Sequence, residues 1–204
     1  MENPQLLIAT TNRGKFSELS CLLAGCSFNL VSLIDIGIDE DVPEVGTTFG
    51  QNASHKAVTY SRLSGILTLA DDSGLEVEGL GGAPGVRSAR YAGPEANDSQ
   101  RIAFLLQRLN NICKDKWLAQ FRCAIAVALP DRPPALFVGE CKGRIINEPR
   151  GTNGFGYDPV FFMPELGKTM AQLSSREKNL ISHRSKAARQ AASTLEKMRI
   201  QLIG

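Results

Sequence analysis

Phe121-Arg122-Cys123-Ala124-Ile125-Ala126-Val127-Ala128-Leu129 is the stretch around which the rest of the chain falls into order. Phe121, Cys123, Ile125, Val127 and Leu129 occupy alternate positions, the period-2 pattern of a β-strand. Asp131-Arg132-Pro133-Pro134 follows, a turn by its composition, and Ala135–Cys141 reads as a second strand. The pair predicts an antiparallel hairpin. Upstream, Leu6–Ala9 and Ile66–Ala70 read as buried strands, with Leu75–Val77 a third candidate, and Val160–Met163 adds another downstream. Helical periodicity separates them. Lys15–Ala24 carries Phe16, Leu19, Leu22 and Leu23 on one face and stops at Gly25. Thr48–Ser64 turns Ala53, Ala57 and Tyr60 inward and stops at Gly65. Asp98 is placed as the cap of a helix bearing Ile102, Leu105, Leu106, Leu109 and Ile112. A last helix, Arg184–Ile200, turns Ala188, Ala191, Leu195 and Met198 inward. Helices alternating with strands around a central hairpin predict an α/β fold on a mixed sheet. No Pro- or Gly-rich linker divides it, so residues 1–204 read as one domain with room for two lobes.

Composition narrows the function. The 204 residues are 43% apolar and 22% charged, values of an ordinary soluble protein. The longest uninterrupted apolar run, Cys123–Leu129, is far short of the roughly 20 residues a membrane span needs. The first residues, Met1-Glu2-Asn3-Pro4-Gln5, have no basic region, which predicts no signal peptide. Five cysteines without a Cys-x-x-Cys pair read as reduced thiols of a cytoplasmic protein. Two histidines exclude a His-rich metal site, so any metal is held by carboxylates, which favours Mg²⁺ or Mn²⁺. The net charge of +2 hides an asymmetry: residues 1–102 carry a balance of −6 and residues 103–204 a balance of +8. That split excludes a uniformly basic nucleic-acid coat.

Individual segments each admit a chemical and a structural reading. Thr10-Thr11-Asn12-Arg13-Gly14-Lys15 leaves a strand and opens a helix, where free N–H groups and the helix dipole form an anion site. It lacks a Walker A pattern and could equally be a capped helix with a solvated lysine. Asp35, Asp39, Glu40, Asp41 and Glu44 form an acidic loop, solvated or lending one metal ligand. Asn52 and Lys56, four apart on a helix, point the same way. Asp71 and Asp72 end an apolar strand, where α/β proteins build sites, though Asp72-Ser73-Gly74 is also ordinary turn chemistry. Gly151–Pro159 has glycines flanking Phe155, suiting the ring either to stack on a base or to pack in the core. Ser174 and Glu177 form a capping box, and Lys178, His183 and Arg184 cluster beyond it, three donors in seven residues.

In this order and spacing the segments resemble the inosine triphosphate pyrophosphatase family, the dITP/XTP pyrophosphatases that clear noncanonical purine nucleotides from the nucleotide pool. The resemblance is carried by Thr10–Lys15 with Glu18; Thr48-Phe49, Asn52-Ala53 and Lys56-Ala57; Ala70–Leu75; Gly81–Gly85 with Ser88–Tyr91; Gly154–Pro159; and Glu177-Lys178 with Ile181–Arg184. It implies an elongated mixed sheet flanked by helices, two lobes with a central substrate cleft, a homodimer, and Mg²⁺-dependent cleavage between the α- and β-phosphates of a small-molecule nucleoside triphosphate. Neither nucleic acid nor membrane is implied as a partner. Position by position, it implies Asp72 as general base and Glu44 and Asp72 as metal ligands. Thr10, Thr11, Asn12, Arg13, Gly14 and Lys15, with Lys56, match the triphosphate cradle, and Ser73 a substrate contact. Phe155, Gly156, Tyr157 and Asp158 match the base-stacking and base-reading loop, and Lys178, His183 and Arg184 the base-recognition donors. Gln51 stands where the family commonly has Glu; if that Glu assists the metal, binding here is weaker.

The implied chemistry is consistent with hydrogen-bond sense. A 6-oxopurine offers an acceptor that Lys178, His183 and Arg184 can serve, whereas the 6-amino group of adenine would set donor against donor. Two rivals remain at this level: a septum-inhibitor (Maf-like) pyrophosphatase of the same fold, and a non-enzymatic nucleic-acid-binding module using the basic second half. The His183-Arg184 pair and the Phe155 loop count against the first, and the scatter of the basic residues among helices counts against the second.

Overall fold

The computed structural model describes residues 3–203. Its elements in chain order are β1 (Gln5–Ile8), α1 (Arg13–Leu23), β2 (Asn29–Ser32), α2 (Phe49–Ser64), β3 (Leu67–Val77), α3 (Asp98–Leu109), β4 (Leu118–Ala128), β5 (Ala135–Ile145), β6 (Phe161–Met163), β7 (Lys168–Thr169), α4 (Ser175–Ile181) and α5 (His183–Ile203). The strands form one sheet in the order β2-β1-β3-β4-β5-β6-β7. β1 runs parallel to both β2 and β3, while β6 is antiparallel to β5 and β7, so the sheet is mixed as the alternation of elements predicts.

Several elements depart from the sequence pattern, and β5 also runs on to Ile145, four residues past the expected end at Cys141. The segments 66–70 and 75–77 read as separate strands, but β3 is continuous from Leu67 to Val77 and carries Asp71 to Gly74 within it. Its pairing with β1 stops at Leu69, so the aspartates sit past the end of the parallel ladder without ending the strand. Asn97, not Asp98, caps α3: the Asn97 side chain accepts from the Gln100 N–H at 3.0 Å, and Gln100 returns the bond to the Asn97 N–H at 2.9 Å. β2 and β7, four and two residues long, have too little periodicity to be read from sequence.

The chain forms two compact units and passes between them inside strands at Asp72–Ser73, Arg122–Cys123 and Gly139–Glu140, and at the start of α5 at His183–Arg184, which is why no linker is visible in the sequence. The first unit comprises the chain up to Asp72, Cys123–Gly139 and the chain from Arg184 onward. Its core packs Leu6 and Ile8 of β1, Leu69 of β3 and Ile125 of β4 against Leu19 of α1 and Ala191 and Leu195 of α5. Cutting any of these leucines to alanine would cost about 2–5 kcal/mol. The second unit comprises Ser73–Arg122 and Glu140–His183. Its core packs Leu75 and Val77 of β3 with Leu105 and Leu109 of α3, Trp117, Phe121 and Phe161.

In the first unit the chain leaves β1 toward β2 on one side, then returns to β3 on the other. The carboxyl end of β1 is therefore a topological switch point, the place where open α/β sheets bind ligands. Among the described residues no helix is long and apolar enough to cross a membrane, and no cysteine forms a disulfide.

Candidate active site

At that switch point Asn12 caps α1. Its side chain accepts from the Lys15 N–H at 3.0 Å, and Thr10 Oγ1 accepts from the Asn12 N–H at 3.2 Å. The cap explains why the helix begins here, since these are the donors that would otherwise be left open. It also commits the Asn12 carbonyl and the Lys15 N–H internally. The contribution this stretch can make to an anion is then the backbone of Arg13 and Gly14 with the half-buried Lys15 side chain. The Lys15 ammonium lies 3.2 Å from Asp71 Oδ2.

Asp71 is fully buried in β3 and is the hub of a charge cluster. Burial alone would raise its pKa, but Lys15, Arg184 and Lys56 outweigh it and hold the carboxyl well below the usual range. Arg184, at the start of α5, directs Nε and Nη2 at Asp71 Oδ2, each at 3.4 Å, and Nη1 at Glu18 of α1. The guanidinium is thus tied to two carboxylates of the first unit. The sequence pattern assigns no role to Glu18.

Asp72, the next residue of β3, points to the opposite face, as strand alternation requires. Its Oδ2 accepts from Asn52 Nδ2 of α2 at 2.8 Å. One turn along α2, Lys56 Nζ lies 2.9 Å from Glu44 Oε1. The i, i+4 pair therefore meets two carboxylates, as its spacing on one helix face suggests. Burial raises the Asp72 pKa, Lys56 and Lys15 oppose it, and the Glu44 carboxylate adds to the rise. Burial works against the Lys56 ammonium, yet Asp71, Glu44 and Asp72 together raise its pKa.

Glu44 belongs to an acidic loop that is held, not loose. Tyr60 accepts from the Val42 N–H at 3.2 Å and donates to the Glu40 carbonyl at 2.8 Å. Asn52 Oδ1 accepts from the Gly46 N–H at 2.7 Å. Gly46 allows that approach: a Cβ there would lie 2.6 Å from Asn52 Oδ1. Gln51 accepts from the backbone of Thr47 and Thr48 and completes the capping box of α2. A Glu at this position would form the same cap and add one negative charge.

Glu44 and Asp72 are hard oxygen donors whose mutual repulsion a cation would relieve, so their chemistry fits a divalent ion. Among the described residues no group of three or more His, Cys, Asp or Glu gathers to hold a metal. A two-carboxylate site suits Mg²⁺, which keeps several of its waters.

The second unit holds a different cluster. Asp158 Oδ2 accepts from the Phe155 N–H at 3.1 Å and from the Lys178 ammonium. Lys178 Nζ also stands 5.2 Å from the centroid of the Phe155 ring. Asp158 thus orients a donor and the loop together. Gly154 has φ of 76°, and a Cβ there would lie 2.0 Å from Asp158 Oδ2, so the tight turn requires glycine. Gly156 N–H donates to Asp98 Oδ2 of α3 at 2.7 Å. The Tyr157 ring is buried, and its hydroxyl donates to the Ser88 carbonyl at 2.9 Å. Tyr157 therefore anchors the loop, leaving Phe155 as its half-buried aromatic. His183 stacks on Phe121 with ring centroids 4.8 Å apart. Ser73 follows Asp72 along β3 and is partly exposed. Asp98 carries no sequence signal for this contact, which spans 58 residues.

Fold and residues define a class: a mixed α/β protein with a lysine–carboxylate cluster at a sheet switch point and a basic, aromatic loop cluster. The chain belongs to the Ham1 family, whose sequence profile matches residues 6–194. It is similar to the dITP/XTP pyrophosphatase of Geobacillus kaustophilus, 50% identical over 90% of each chain. To the dITP/XTP pyrophosphatase of Bacillus subtilis it is 43% identical, over 94% of this chain and 97% of the relative. Among solved structures it is similar to a HAM1 protein from Coxiella burnetii, with a TM-score of 0.87 and 38% identity over 95% of this chain and 99% of the other. The Ham1 protein of Staphylococcus aureus gives 0.84 and 39% over the same shares.

Proposed function

We propose that this protein hydrolyses noncanonical purine nucleoside triphosphates, ITP, dITP and XTP, to the monophosphate and pyrophosphate. The observation that carries the reading is the paired arrangement of Lys15 and Lys56 with Asp71, Asp72 and Glu44 at the switch point. A triphosphate brings about four negative charges. Lys15, Lys56 and the N–H groups opening α1 supply positive charge, and stabilising charge at fixed positions is most of phosphoryl-transfer catalysis. Asp72 is the residue to take a proton from the attacking water, because burial and Glu44 make its carboxylate more basic than an exposed one. Asn52 holds that carboxylate in its orientation. A bound Mg²⁺, or Mn²⁺ in its place, would be held by Glu44 and Asp72 and would neutralise phosphate charge and acidify water.

Phe155 offers a face to the base, and Lys178, fixed by Asp158, offers a donor for the 6-oxo group. His183 belongs to the same reading as a further donor. Arg184 has its support in Asp71 and Glu18, so its contribution is to hold the acidic hub in register. Thr10 and Asn12 shape the cradle through the helix cap, Thr11 belongs to it through the family resemblance, and Ser73 is a substrate contact beside the general base. A homodimer and a cytoplasmic location belong to this reading through the family resemblance, and light scattering tests the former.

The test is a panel of nucleoside triphosphates incubated with Mg²⁺ and assayed for monophosphate and pyrophosphate. Preferential pyrophosphate release from ITP, dITP and XTP is expected. Orthophosphate release, or equal turnover of ATP, would overturn the proposal.

A further inference from the structure

A cavity of about 460 Å³ opens in the second unit, lined by Lys114, Trp117, Arg144, Ile146, Arg150 and Phe162 among others. That volume is within the usual range for a small-molecule site, roughly 300–1,000 Å³. None of these residues takes part in the charge cluster or the base-loop cluster, and Trp117 also packs in the core of the second unit.

The walls are fixed by hydrogen bonds. The Trp117 indole N–H donates to the Ile112 carbonyl at 3.0 Å, which sets the plane of its ring. The backbone N–H groups of Ile145, Ile146 and Arg150 donate to Trp117, Val160 and Pro159 at 2.9, 3.0 and 2.9 Å. Arg144 Nη2 donates to the Lys114 carbonyl at 3.2 Å, and Lys114 Nζ stands 5.9 Å from the Trp117 ring centroid. The floor is apolar, from Trp117, Ile146 and Phe162, and the rim carries three cations against one acid, Glu148. Among the described residues none of the three cations forms an ion pair.

Three cations without a carboxylate partner on the rim of an apolar floor give this cavity a positive potential that favours an anion. A plain inorganic anion would satisfy the rim and leave the apolar floor wet. A ligand with a flat ring and a phosphate satisfies both, the ring on the apolar floor and the phosphate on the arginines. We infer that this cavity is a binding site for a nucleoside monophosphate, separate from the site of hydrolysis.

Trp117 is the only tryptophan of the chain, so its fluorescence is a single reporter in the wall of this cavity. The probe is AMP, whose 6-amino group is disfavoured by the donors around Lys178. AMP should change Trp117 emission saturably, and the midpoint should rise by about tenfold or more in Arg144→Ala/Arg150→Ala, as expected for losing charge-assisted hydrogen bonds. Lys114→Ala, a separate variant, should weaken it as well. Lys178→Ala should leave the midpoint unchanged. Absence of a saturable change, an unaltered midpoint in the double variant, loss of the response in Lys178→Ala, or inorganic phosphate matching the AMP midpoint would each overturn the inference. Far-UV circular dichroism of each variant confirms that it is folded.

Discussion

The Lys15 ammonium lies 3.2 Å from Asp71 Oδ2, and the same oxygen takes the Arg184 guanidinium at 3.4 Å. One fully buried carboxylate thus joins the first turn of α1 to the first turn of α5. It is the counter-charge that lets a lysine and an arginine stand together in a largely desolvated position.

Removing that carboxylate should destabilise the first unit. Asp71→Ala leaves Arg184, whose side chain is 2% exposed, with Glu18 as its remaining carboxylate in the cluster. The expected cost is about 3–5 kcal/mol, the usual penalty for breaking a buried pair. Urea unfolding measures it, and a loss below about 1 kcal/mol would show that the cluster is solvated in solution.

Asp72→Asn separates chemistry from stability. The Asn side-chain oxygen can still accept from Asn52, so the unfolding midpoint should stay near that of the wild type. Turnover of ITP should fall by roughly 10²–10⁴, the span expected when a general base is lost. Retention of most activity would remove Asp72 from that role.

The base loop can be disturbed from either end. Asp98→Ala frees the Gly156 N–H from its acceptor at 2.7 Å. Gly154→Ala drives a Cβ to within 2.0 Å of Asp158 Oδ2 and so displaces the Lys178 partner. Both should raise KM for ITP more than they lower kcat. An equal fall in kcat with KM unchanged would place the loop outside base recognition.

Thiol reactivity should follow burial. Cys21 and Cys113 are exposed and should react with Ellman's reagent in the native protein. Burial and the nearby Asp71 carboxylate push the Cys123 thiol up to about 12, so it should react only on unfolding. Rapid native labelling of Cys123 would contradict the core packing around β4.

Much of this was legible because it is local. The α2 pair Asn52 and Lys56 shares a helix face by spacing alone, and the Ser174–Glu177 capping box follows from two residues. The mixed α/β fold follows from alternating periods. Other features needed coordinates. The division of β3 into two strands fails because Asp71 and Asp72 interrupt an apolar pattern while the strand itself continues past them to Val77. Contacts such as Arg184 with Glu18, 166 residues apart, have no local signature, and neither does the grip of Asp98 on Gly156. Asn97 outcompetes Asp98 as a cap because only one of two adjacent polar residues can take the extended backbone of that position.

Attack of water on the α-phosphorus of ITP is the central claim, and hydrolysis in H₂¹⁸O with Mg²⁺, followed by mass spectrometry of both products, tests it most directly. One ¹⁸O atom in IMP, with unlabelled pyrophosphate, is the predicted result. Label in pyrophosphate, or in released orthophosphate, would contradict it.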